Sequence, residues 1–87
     1  MSAEDLRKAM LDLMDVLSGD IIKTEALADE LSRVAVALSA HQSGAEAIRD
    51  TAVRKRVQAM ELRGKLAALR ESYAAQFNSE GSGPRRA

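Results

Sequence analysis

Residues 16–27 read "VLSGDIIKTEAL", and the fold turns on whether Ser18, Gly19 and Asp20 form a loop between two helices or a polar notch inside one. Before them, Leu6, Met10, Leu13 and Leu17 are spaced four, three and four apart, the spacing of an apolar helix face. After them, Leu27, Leu31, Val34 and Leu38 repeat the pattern. Leu17 and Leu31 are two heptads apart, so an unbroken helix keeps them on one face with only about 40° of drift. A loop has no reason to preserve that phase. Ile21, Thr24 and Ala28 carry the stripe across the gap, and Asp20 stands just off it. Gly19 costs about 1 kcal/mol in a helix interior, and packing on both sides can absorb that cost. The stretch is therefore read as a notch in one helix over about residues 3–42, with any bend placed near Gly19.

The strongest turn signal before the tail is His41-Gln42-Ser43-Gly44, which puts a turn at about residues 42–45. Gly44 can supply a left-handed residue that ends the first helix, while Ser43 and Glu46 match the S-x-x-E capping box of the next. A second helix is expected from about Ala45 to Phe77. Its main apolar face holds Ile48, Ala52, Ala59, Leu62, Leu66, Leu69, Tyr73 and Phe77, within about 120° at 100° per residue. Residues 78–87, "NSEGSGPRRA", read as a flexible tail.

A hairpin needs one buried face per helix, yet each helix carries more. Val53, Val57 and Met60 form a second sector continued by Gly64, and residues 34–38, "VAVAL", ring the first helix with apolar surface. A helix apolar all round is normally buried all round. The expectation is an all-α, antiparallel two-helix hairpin over residues 1–77, coiled-coil-like, completing a four-helix bundle as a homodimer or with another helical protein. Val34, Val36, Val53, Val57, Met60 and Gly64 are the expected interface.

Composition supports that economy of means. A chain of 87 residues buries only about 60–65% of its unfolded surface. Apolar residues make up 46%, but Tyr73 and Phe77 are the only aromatics, so the core must be aliphatic. Small chains of this kind often gain burial by association. The absence of cysteine excludes disulfides, thiolate chemistry and a cysteine zinc site. Glu4, Asp5, Asp12 and Asp15 among the first leucines do not suit a secretory or transit sequence, and no apolar run approaches ~18 residues. A cytoplasmic protein without membrane insertion is expected.

Net charge is zero, but residues 1–44 hold eight acids against four bases and residues 45–87 hold five against nine. The run "RDTAVRKRVQAMELRGK" suggests a nucleic-acid surface built from Arg54, Lys55 and Arg56, with Arg85 and Arg86 of the tail. A turn near residue 43 offers another account. It sets Arg54 to Arg56 near Asp29 and Glu30, Arg63 and Lys65 near Glu25 and Asp20, and Arg70 near Asp12 and Asp15. No aromatic interrupts the basic run for base stacking, and no zinc-finger spacing is present. Nucleic-acid binding stands as the alternative function.

Chemistry finds little footing. The single histidine, His41, sits at the turn without the third group and oxyanion hole that a serine–histidine site needs. The carboxylates lack the Glu-x-x-His pairs of di-iron bundles and the alternation of a calcium loop. No cofactor, metal or catalytic residue is expected. Met10, Met14 and Met60 could form an adaptable surface for a client helix, although such residues more often serve as core. The segment "SGDIIKTEALADELSRVAVAL" is similar to helical chaperones of flagellar and type III export, which implies long helices that cradle an amphipathic client. The function expected is a non-enzymatic interaction module: an adaptor, assembly factor or chaperone.

Overall fold

The first helix, α1 (Ala3–Leu38), runs without interruption through Ser18, Gly19 and Asp20. The second, α2 (Ala45–Phe77), packs back along it, giving an all-helical antiparallel hairpin. This computed structural model describes residues 2–38 and 44–78. The end of the expected first helix beyond Leu38, most of the turn, and the tail beyond Asn78 lie outside the described residues.

Local chemistry sets the helix ends. Ser2 caps α1: its hydroxyl accepts the Asp5 amide at 3.1 Å and its carbonyl accepts the Leu6 amide at 3.0 Å. A serine in this position satisfies a donor that the first helical turn leaves open. Gly44 starts α2 and does not take the left-handed conformation, one of the two readings of this boundary; the other, a cap by Ser43, lies outside the described residues. The Gly44 φ of −73° and ψ of −10° are helical, and its carbonyl accepts the Ile48 amide at 3.2 Å. Gly44 is thus already winding into α2. Asn78 closes that helix, donating its amide to the Ala74 carbonyl at 2.9 Å.

The line that α1 turns to α2 alternates four and three residues: Met10, Met14, Leu17, Ile21, Thr24, Ala28, Leu31, Ala35 and Leu38 are all buried or half-buried. In α2 the matching line is Ala45, Ile48, Ala52, Lys55, Ala59, Leu62, Leu66, Leu69 and Tyr73. This is a heptad seam, and a regular seven-residue repeat holds it between the helices along their length. Near the turn the seam is built of alanine, with Ala28, Ala35, Ala52 and Ala59 no more than 2% exposed. Toward the open end it fills with Ile21, Leu66, Met10 and Phe77. Small residues let the backbones close at one end, while the long side chains bring most of the burial at the other. Each fully buried large aliphatic side chain contributes roughly 1.5–3 kcal/mol.

The seam corrects part of the expected α1 face. Leu13, Leu27 and Val34 are 49%, 45% and 38% exposed, because Met14, Ala28 and Ala35 take the places between the helices. At Leu27-Ala28 and Val34-Ala35 hydrophobicity alone favours the larger residue, but the close approach of two helices favours the smaller neighbour; size does not account for Met14 in place of Leu13. Of the "VAVAL" run only Ala35 is buried, with Leu38 half-buried.

The molecule measures 64 × 31 × 13 Å, with a radius of gyration of 19.3 Å, against about 12 Å for a compact chain of this length. Its thin dimension is about one helix diameter. The two broad faces and both outer helix surfaces therefore remain exposed.

Candidate interaction surface

The heptad frame gives the hairpin two unlike edges. Along one, α2 places Arg49, Arg56, Arg63 and Arg70 at every seventh residue, beside the seam. Arg56 donates to Ser32 Oγ at 2.8 Å and to Asp29 Oδ1 at 3.4 Å. Arg63 donates through Nε to Glu25 Oε2 at 2.8 Å, and its Nη2 lies 2.6 Å from the same oxygen. These two pairs bridge the helices in the antiparallel register expected from the turn. Exposed pairs of this type contribute only about 0.2–1 kcal/mol each, but they select orientation.

Other expected pairings do not form. Glu30 bonds to Arg33 and Asp12 to Lys8, each within α1. Asp20, Lys23, Lys65 and Arg70 form no ion pair among the described residues. Arg70 instead lines a shallow groove with Ser18, Ile22 and Leu66.

On the opposite edge the α1 side is mostly apolar. Leu6, Leu13, Asp20, Leu27 and Val34 recur at every seventh residue of α1, beside α2 residues Thr51, Gln58, Lys65 and Ser72. A groove of about 420 Å³ between Leu13, Leu17, Lys65, Ala68, Leu69 and Ser72 lies on this edge. Three residues after each member of that row stand Ala9, Val16, Lys23, Glu30 and Ala37, on the next position round the helix. The two rows together form a second stripe with four-and-three spacing, beside the one that faces α2. Val16 on it is 56% exposed. The sequence carried a signal for this stripe in the pairs Leu27-Ala28 and Val34-Ala35, where the seam takes the small member and the stripe takes the large one.

The expected interface residues divide between surfaces. Val34 belongs to the apolar edge, whereas Val36, 73% exposed, lies round toward the charged edge of the same helix. Val53, Val57, Met60 and Gly64 do come together, on the outer side of α2, where Val57 and Met60 are 48% and 68% exposed. A Cβ added at Gly64 would meet nothing within 4 Å, so within the hairpin this glycine does not mark a close approach.

The basic run spreads rather than converging. Arg54 donates to Thr51 Oγ1 at 3.1 Å, Lys55 lies half-buried on the seam with its Nζ 3.4 Å from Gln58 Oε1, and Arg56 crosses to α1. Successive helical residues differ by about 100° in direction, so the three charges cannot share a face. Arg85 and Arg86 lie outside the described residues.

At the open end Arg7 donates to Tyr73 Oη at 3.3 Å, and the Tyr73 and Phe77 rings lie 5.0 Å apart. Arg7 also binds Glu4 through Nη2 at 3.0 Å. That hydrogen bond, with charge attraction second, holds the Glu4 carboxyl below its ordinary range. The bonds from Arg7 to Glu4 and Tyr73 raise the guanidinium in turn. Arg33 is raised by its hydrogen bond to Glu30.

Among the described residues no group of three or more metal-ligating side chains is assembled, and no helix is long and apolar enough to cross a membrane. The chain matches no protein-family model, no curated protein and no solved structure.

Proposed function

We propose that this chain is a non-enzymatic protein-interaction module, a small helical adaptor, assembly factor or chaperone, whose apolar helix faces are covered by a second copy or by another helical protein in a four-helix bundle. The observation that carries this reading is the second stripe of α1, where Leu13, Val16, Leu27 and Val34 stay exposed beside a seam already filled by other residues. A two-stranded coiled coil uses two positions in seven, whereas a helix that faces a bundle core uses a third beside them. Helix α1 has that third position along its length, with Asp20 as the exception. The outer side of α2, with Val53, Val57 and Met60, adds a further apolar surface.

The test places charge on each surface in turn. Leu13→Asp with Leu27→Asp, and separately Val57→Asp with Met60→Asp, leave the seam residues untouched. Sedimentation equilibrium and partner recovery from the native cell then read the outcome. At least one pair should abolish self-association or partner binding while helicity by circular dichroism is retained. Unchanged mass and unchanged recovery in both would sink the reading.

A further inference from the structure

The second stripe of α1 is self-complementary, and the geometry points to a second copy of this chain as its occupant, docked with the two α1 helices antiparallel about a two-fold axis at the level of Ile21 and Ile22. This rests on the association reading above and adds to it the partner, the orientation and the register. In an antiparallel helix pair the two rows of such a stripe oppose each other in alternating layers. With the axis at that level, Asp20 lies opposite the second copy's Lys23, and by symmetry Lys23 lies opposite the second copy's Asp20. Moving outward, Val16 meets Leu27 and Ala9 meets Val34. Leu13 meets the aliphatic stem of Glu30, whose carboxylate is already bound to Arg33.

Charge selects this register over its neighbours. Sliding one heptad in one direction sets Asp20 against Val16 and Lys23 against Leu13, which buries each charge on an aliphatic side chain. Sliding the other way sets Asp20 against Glu30, a like-charge contact. A parallel pairing opposes Asp20 to Asp20 and Lys23 to Lys23. Only the antiparallel register centred between them satisfies both charges, and neither has an ion pair among the described residues of the single chain. A polar layer in an otherwise apolar interface is a known way to fix register and orientation. The same face of α2, through Lys65 beside Asp20 in the heptad frame, adds positive charge near the axis.

Charge reversal tests the assignment. Asp20→Lys alone and Lys23→Asp alone each turn both cross-pairs into like-charge contacts, so each variant should dimerise about tenfold or more weakly than the unaltered chain. An equimolar mixture of the two variants recreates opposite charges in both layers and should restore dimer strength as a heterodimer. Neither residue lies on the α1–α2 seam, and thermal melts of each variant, with Asp20→Asn and Lys23→Gln as neutral controls, verify that the hairpin persists. If both reversed variants dimerise like the unaltered chain, or the mixture shows no preference, while Leu13→Asp with Leu27→Asp still breaks the dimer, this register is overturned and the interaction reading stands. If the unaltered chain stays monomeric at its highest soluble concentration, the second copy is overturned as occupant.

Discussion

Gly19→Ala should stabilise the protein, and the size of the effect follows from where Gly19 sits. It lies within α1, off the seam and half-buried, and a Cβ built there meets no atom within 4 Å. The substitution therefore adds no clash, while it removes conformational freedom from the unfolded chain and improves helix propensity by about 0.8–1 kcal/mol. For a domain of this size 1 kcal/mol moves the melting midpoint by about 4–8 °C. Thermal unfolding followed by circular dichroism reads that shift, with protein concentration held fixed because association also raises apparent stability. Gly64→Ala provides an internal comparison. It too is helical with an open Cβ position, on the other helix, so the two gains should add. A Gly19→Ala midpoint at or below that of the unaltered chain, beside a raised Gly64→Ala midpoint, would refute the continuous helix and restore the break.

Two further outcomes follow from packing and titration. Ala59→Leu forces extra volume into the alanine part of the seam, where Ala59 is 2% exposed; it should cost about 1–3 kcal/mol in urea unfolding despite adding a more hydrophobic side chain, and a neutral or stabilising result would show that the helices separate there freely. Glu4 should titrate below the usual glutamate range in NMR because Arg7 binds its carboxylate. A depressed carboxyl contributes stability that is present above its unfolded pKa and lost as pH falls through the folded one, so the first turn of α1 should loosen only in acid. Arg7→Gln should move that titration upward, and coincident curves for the two proteins would rule the pairing out.

How far the sequence could be read depended on which physical quantity decided each feature. The preserved phase between Leu17 and Leu31 was enough to carry α1 through its polar notch, because helical periodicity is a long-range signal that three residues cannot erase. The main face of α2 was equally legible, since Leu62, Leu66 and Leu69 have no large apolar neighbours competing for the same face. In α1 the competition was real. Leu27 beside Ala28 and Val34 beside Ala35 offer the seam a large or a small residue, and hydrophobicity cannot rank steric fit. Gly44 failed for another reason: its sequence context suited a left-handed cap, whereas the chain uses its first turn to begin α2. The charge pairs were legible only where seven-residue spacing brought an arginine beside the seam, as at Arg56 and Arg63. Arg54 and Lys55 belong to the same run in sequence, but point elsewhere.

That spacing gives the two edges of the hairpin different capacities. On one, arginines stand at every seventh residue of α2, and acids of α1 reach two of them, Arg56 and Arg63. On the other, Leu13, Leu27 and Val34 recur at the same period and remain partly exposed. The polar notch sits where these patterns cross. Ser18 turns toward the arginine edge, lining the groove with Arg70; Gly19 lies off the seam; of the three, only Asp20 enters the apolar stripe. An aspartate contributes nothing to helix propensity or to the seam at that point, and leucine there would complete the stripe with greater burial. In the proposed dimer, a leucine there would also weaken the choice of register, because the central layers would lose their opposite charges. In the proposed dimer, Asp20 and Lys23 would select one register at the cost of some burial, the exchange expected of a surface that associates in one register rather than merely associates.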